Sequence, residues 1–135
     1  MNTSEILLID DDPVSILLSR FFLEKNIPKD GSVRVTCFCC PFEGLEYVMD
    51  FCGSDRYFQD NSRILLDLNM PGMDGWKFME LLEGIDLQNR IKVIIHSSSR
   101  NILDREKAIK INKVDYYMTK PMTQDKASSL MEWIS

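Results

Sequence analysis

Short apolar runs alternate strictly with amphipathic stretches along this chain, and that alternation narrows the fold more than any other feature. The runs cover residues 5–9, 33–39, 63–66, 91–96 and 114–118. The second, fourth and fifth are rich in β-branched or aromatic residues, as strands are. The first, third and fourth are almost continuously apolar, the pattern of strands covered on both faces of a parallel sheet. Between the runs, Val14, Leu17, Leu18, Phe21 and Phe22 follow the i, i+3, i+4, i+7, i+8 spacing of a helix stripe. Asp12 is placed to cap that helix and Pro13 to open it. Leu45, Val48, Met49 and Cys52 form a second stripe, Phe78, Leu81, Leu82 and Ile85 a third, and Ala127, Leu130, Met131 and Ile134 the last. Residues 100–112 are helical by composition, with a weaker stripe. The order β-α-β-α-β-α-β-α-β-α predicts an α/β domain: a doubly wound, five-stranded parallel sheet with helices on both faces. Right-handed crossovers leave few strand orders, and 2-1-3-4-5 is the common one. In that order the first and third strands are neighbours, and ligands bind in the crevice beyond their carboxyl ends.

Composition agrees with one such unit. A chain of 135 residues, 44% hydrophobic and 27% charged, can bury a core of its own. Sixteen basic against 21 acidic residues leave a net charge of −5, which argues against direct nucleic-acid binding. No apolar run approaches the roughly 18 residues that span a bilayer, and the N-terminus does not read as a signal peptide. A cytoplasmic location and no membrane contact are therefore expected. Cys37, Cys39, Cys40 and Cys52 lack metal-ligand spacing and export context, so they read as small apolar residues of a buried strand.

The chemistry gathers at the strand ends. Asp10, Asp11 and Asp12 follow the first strand, and Asp67 follows the third. Ser97, Ser98 and Ser99 follow the fourth, and Thr119, Lys120 and Pro121 the fifth. Singly these are ordinary caps and turns; Ser99, for instance, is placed to cap the next helix. Together they put acids, hydroxyls and a lysine along one edge of the sheet, with the acids on the two strands that flank the crevice. Crowded carboxylates repel one another, and Mg²⁺ with oxygen ligands relieves that repulsion. A lysine opposite the metal completes a pocket for a phosphoryl group, and a carboxylate there can serve as nucleophile.

With these residues in view, the chain resembles the receiver domains of two-component response regulators, whose fold is flavodoxin-like. The matching motifs are I-L-L-I-D-D-D-P (6–13), L-L-D-L-N-M-P-G-M-D-G (65–75), V-I-I-H-S-S (93–98) and Y-Y-M-T-K-P (116–121). The resemblance implies that Asp67 is the phosphoacceptor, with Lys120 and Ser97 assisting. It implies Mg²⁺ (or Mn²⁺) held by Asp10, Asp11, Asp67 and the backbone carbonyl of Asn69. It implies Ser97 and Tyr117 as the switch pair, the ring turning inward as the phosphorylated site draws Ser97 toward it. A histidine kinase or histidine phosphotransfer protein would donate the phosphoryl group. A contact surface made by the fourth helix, fifth strand and fifth helix would then select a downstream protein. Such a domain catalyses its own phosphorylation and slow dephosphorylation without being a conventional enzyme, as a monomer or a phosphorylation-dependent dimer.

Some residues depart from the family pattern. Residues 53–62 form a polar surplus that reads as a surface loop extension. The glycine often found after the fourth helix is missing, which leaves the turn to Asn112 or Lys113, since Asn tolerates the left-handed region. His96 stands where an aliphatic residue is usual and reads as a partly buried strand end. Trp76 and Met70 flank the acceptor. The fourth helical stretch with Lys113 carries Arg100, Arg105, Lys107, Lys110 and Lys113 against Asp104 and Glu106, a basic face open to an acidic partner. The chain stops just after the last helical stretch, so residues 1–135 are expected to be a single receiver with no output domain. The alternatives are a receiver fragment of a longer transcriptional regulator and an aspartate-nucleophile phosphohydrolase. Hydrolases of the haloacid-dehalogenase type, however, place a second acid where this chain has Asn69.

Overall fold

A computed structural model describes residues 3–52 and 61–134. Five strands, β1 (Ser4–Ile9), β2 (Val33–Phe38), β3 (Arg63–Leu66), β4 (Val93–Ser97) and β5 (Val114–Thr119), form one parallel sheet. Its order is β2-β1-β3-β4-β5, as the alternation predicts. The helices are α1 (Pro13–Asn26), α2 (Pro41–Cys52), α3 (Gly75–Ile85), α4 (Ile102–Ile109) and α5 (Gln124–Ile134).

Strand alternation sorts the core into two layers. Leu7, Ile9, Ile64, Leu66, Val93 and Ile95 face α2, α3 and α4 through Val48, Phe78, Met79, Leu82 and Ala108. Ile6, Leu8, Leu65 and Ile94 face α1 and α5 through Leu23, Ala127, Leu130, Met131 and Ile134. The full α5 stripe is thus buried. The α2 and α3 stripes face inward too, except that Met49 and Leu81 are exposed.

The α1 stripe is a correction. Val14 and Leu17 are 70% and 71% exposed, Phe21 is 54% exposed, and Leu18 also reaches solvent. The inward residues are Ile16, Ser19, Phe22, Leu23 and, beyond the helix, Ile27. The helical period is right but its phase is turned. Asp12 accepts from the N–H of Val14 and Pro13 opens the helix, so the short turn after β1 fixes which face meets the sheet. Ser19, small and buried, sits where the helix passes over the carboxyl ends of the strands.

Other boundaries also shift. The cysteine-rich run is an edge strand that ends at Phe38. Cys39 is exposed, and Cys37, Cys40 and Cys52 are only half-buried, so these are not the residues of a buried strand. α4 is shorter than its composition suggests and is capped by Asn101, which accepts from the N–H of Leu103. Ser99 instead accepts from the N–H of Asn101 and donates to Asp104. Neither Asn112 nor Lys113 takes a positive φ; Asn89, before β4, does, at 52°. The loop extension lies outside the described residues apart from Asn61 and Ser62, and Ser62 is buried with its hydroxyl accepting from the N–H of Glu5 at 2.7 Å.

Lys113 is not part of a basic surface. It is fully buried, and its ammonium pairs with Asp86 and donates to Asn89 at 3.1 Å. Asp86 also accepts from the N–H groups of Arg90 and Ile91, and these donors hold its carboxyl below the usual range despite the burial that opposes them. This cluster ties the turn before β4 to the turn before β5. Asp86→Ala strands a buried ammonium, and chemical denaturation should show a loss of about 3–5 kcal/mol.

Candidate functional site

Three strand ends build the site. The N–H of Asp67 donates to the carbonyl of Ile9 at 3.0 Å, and that of Lys120 to the carbonyl of Ser97 at 2.9 Å. These ladder bonds carry the sheet's register one residue past its strands, so the side chains that follow β1, β3 and β5 converge. Asp10 and Asp67 are buried and Asp11 is half-buried. One carboxylate oxygen from each of Asp10, Asp11 and Asp67 lies within 4.8 Å of the others. That is a set of oxygen donors suited to a small divalent cation.

Lys120 supplies the internal counter-charge. Its ammonium lies 2.7 Å from Asp10 Oδ2 and 3.5 Å from Asp67 Oδ2. The peptide bond from Lys120 to Pro121 is cis. The other oxygen of Asp10 accepts from the N–H of Asp12 at 3.0 Å, so the turn into α1 orients the carboxylate that borders the crevice. Asn69 is exposed beside Asp67, with its N–H 3.4 Å from Asp67 Oδ1. One lysine does not neutralise this cluster. Burial first, and then the neighbouring Asp10 carboxylate, push the Asp67 carboxyl up to about 6 against the pull of Lys120.

Gly75 lets the loop after Asp67 close. It is the first residue of α3, and its N–H donates to the carbonyl of Leu68 at 2.8 Å. A Cβ here would lie 2.5 Å from the backbone oxygen of Asp67 and 2.9 Å from the Cα of Leu68. Gly72 earlier in the same loop has φ +83°, the left-handed region. The D-L-N-M-P-G-M-D-G segment is thus a backbone requirement as well as a motif, with Met70 and Met73 buried in the core. Trp76 lies half-buried at the start of α3, and the ammonium of Lys107 on α4 sits 4.2 Å from its ring centroid.

The remaining residues sit on the α4 side. Ser97 is fully buried, and its hydroxyl accepts from the N–H of Ser99 at 3.1 Å. Among the described residues no hydrogen bond joins that hydroxyl to Asp67. Tyr117 lies inward, 5% exposed, and its hydroxyl donates to the carbonyl of Ser99 at 3.0 Å. The inward ring therefore has a local hydrogen bond of its own. His96 faces the opposite layer and is 4% exposed rather than partly buried; burial pushes its pKa down to about 4 and keeps the ring neutral.

Asp10, Asp11, Asp67, Asn69, Ser97 and Lys120 thus fall at one end of the sheet, and Tyr117 is bonded to the loop that leaves it. The exposed apolar face of α1 and the inward Ser19 were missed. Asp12 and Pro13 mark where the helix starts, but two apolar stripes fit the period from there. No helix among the described residues is long and apolar enough to cross a membrane.

Comparison with known proteins identifies the family and agrees with the fold. The family model described as response regulator receiver domain matches residues 6–132. Among solved structures, a two-component response regulator from Cytophaga hutchinsonii is 26% identical, with a TM-score of 0.81 over 99% of this chain and 98% of its own. The Vibrio cholerae chemotaxis protein CheY4 is 15% identical, with a TM-score of 0.74 over 98% of this chain and 99% of its own. A receiver domain protein from Clostridium thermocellum is 22% identical, with a TM-score of 0.73 over 96% and 91%. No curated protein matches at the sequence level.

The raised Asp67 pKa has a definite sign. Below about pH 4 the carboxyl is protonated in the folded and unfolded chains alike. Between about pH 4 and 6 the folded chain keeps a proton that the unfolded chain releases, so stability falls as pH rises through this window. Without divalent cations, Asp67→Asn should raise stability at pH 7 by about 1–3 kcal/mol. Denaturation midpoints measured at pH 4 should show that gain gone. Gly75→Ala should cost about 1–3 kcal/mol in the same assay, as overpacking does.

Proposed function

Since this chain belongs to the response regulator receiver domain family, we propose that it is a phosphorylation switch that takes a phosphoryl group on Asp67 from a histidine kinase or a histidine phosphotransfer protein. The observation that carries this reading is the convergence of Asp10, Asp11 and Asp67 with Lys120 set against two of them. Mg²⁺ or Mn²⁺, held by Asp10, Asp11, Asp67 and the carbonyl of Asn69, would supply the positive charge that the three carboxylates lack and polarise the phosphoryl oxygens. Lys120 is placed to hold another of those oxygens.

In the transfer an oxygen of Asp67 attacks phosphorus. The phosphorus–nitrogen bond of the phosphohistidine breaks, and its electron pair stays with the imidazole, which takes up a proton. Lys120 and the buried walls of the crevice orient the carboxylate for in-line attack. Later hydrolysis returns Asp67 to a carboxylate, so the domain acts on itself rather than turning over a substrate. The phosphohydrolase alternative needs a second acid at Asn69, which offers none.

Output by protein contact is supported by what the α4–β5–α5 side displays. Ile102, Leu103 and Ile109 of α4, Tyr116 of β5 and Trp133 of α5 are exposed there. Tyr117 lies among them from beneath, bonded to the β4–α4 loop, so the packing around Ser97 and the shape of this face are connected through one ring. The α1 face suits the phosphodonor. Val14, Leu17 and Phe21 begin within a turn of the acid pair and form an apolar stripe of the kind that marks a protein contact.

Intact-mass measurement tests the chemistry. With Mg²⁺ and acetyl phosphate the chain should gain one phosphoryl group. The gain should disappear in Asp67→Asn and on chelation, and repeated turnover of a small phosphate ester would favour the hydrolase instead. A separate arm tests the docking face. Leu17→Asp should slow transfer from a phosphohistidine protein at least tenfold while leaving labelling by acetyl phosphate within twofold of the parent.

A further inference from the structure

His96 is the buried group at this site that the transfer chemistry does not use. By strand alternation it projects into the α1–α5 layer with Ile94, whereas Ser97 projects toward α4. Its Nε2 is sealed from solvent and has no hydrogen-bond partner among the described residues. A neutral imidazole nitrogen left dry in a core is costly. An aliphatic side chain would fill the space without that penalty.

The surroundings of the ring supply the missing partner. His96 lines a small internal cavity together with Asp10, Asp67, Ser19, Ile16 and Leu65. The room in it for a water centre is about 10 Å³, close to the volume of a single water position. Of the eight residues that line it four are polar, Asp10, Ser19, Asp67 and His96, and all four are buried. A buried water needs two to four polar partners, and these walls offer that number. Ser19, which the turned phase of α1 brings inward, leaves this space where a larger side chain would close it.

We propose that this cavity is a site for one buried water, held by His96 Nε2 against the undersides of the Asp10 and Asp67 carboxylates, and that His96 is thereby a positioning residue for the acidic site. Each carboxylate has one oxygen toward Lys120 and the other toward a backbone N–H, that of Asp12 for Asp10 and that of Asn69 for Asp67. A water below fixes them from the other side and links their orientation to β4, the strand that carries Ser97. Its contribution to cation binding rests on the function proposed above; the water site itself does not.

Two measurements on the whole chain separate these claims. A crystal structure near atomic resolution should show one water within hydrogen-bond distance of His96 Nε2 and of an Asp10 or Asp67 oxygen. A dry cavity, or a protein group on Nε2, overturns the proposal. Mg²⁺ titration followed by tryptophan fluorescence should show about tenfold weaker binding in His96→Leu, the lower end of what loss of an outer-shell partner costs. His96→Asn, which keeps a polar group aimed at the cavity, should recover a good part of that loss. If His96→Leu proves more stable than the parent and binds Mg²⁺ equally well, the ring is only a filler and the positioning role fails. If His96→Leu does not fold, His96→Asn against the parent carries the comparison. If the parent itself binds no Mg²⁺, the proposed function falls, and the water still stands or falls on the crystal structure.

Discussion

Like charge brought together by the fold is the constraint from which the rest of this molecule follows. The parallel order sets the ends of β1 and β3 side by side, and both ends carry acids. Sheet geometry forces the carboxylates into one crevice, and hydrophobic burial on both faces holds them there at a cost. Lys120 relieves part of the repulsion by bonding Asp10 at 2.7 Å and standing 3.5 Å from Asp67. It reaches them only because β5 closes the sheet two strands away, with the backbone of Lys120 tied to Ser97 on the way. What Lys120 leaves unbalanced is what a cation and a phosphoryl group can use.

The fold was legible because its evidence is redundant. Each buried strand is an unbroken apolar run, and each crossover leaves a helical period. The order of elements then restricts topology without any knowledge of contacts. The acids, the hydroxyl and the lysine were legible for the same reason: strand ends can be read directly, and a parallel sheet brings all carboxyl ends to one edge. The motif around Asp67 was readable as residues, but its glycines acquire a reason only from the close approach of Gly75 to the Asp67 backbone.

What could not be read was phase and pairing. A helix period gives the width of an apolar stripe but not which way it faces when a second apolar stripe is available. In α1 both Val14-Leu17-Phe21 and Ile16-Leu23-Ile27 fit, and a three-residue turn decides between them. Lys113 looked like one more surface cation because nothing local marks Asp86, 27 positions earlier, as its partner. Burial of His96 was underestimated because a polar residue at a strand end ordinarily leans toward solvent. These are long-range facts, and sequence patterns of short period carry little information about them.

The ion pairs divide the sheet by polarity along its strands. At the amino end, Glu5 meets Arg34 at 2.9 Å and the hydroxyl of Tyr47 at 2.6 Å, Arg63 meets Asp115 at 2.8 Å, and Lys113 is enclosed with Asp86. Glu5, Asp115 and Asp86 each have a cation within the same chain. At the carboxyl end three acids share one lysine, and the balance must come from solution. Salt composition therefore acts on the two ends unequally. The amino end behaves as a fixed footing whose stability is indifferent to divalent ions. On the proposed function, scarcity of such ions would loosen first the loops after β1 and β3. A molecule built this way would sense its ionic surroundings through one edge only, the edge where the proposed chemistry would take place.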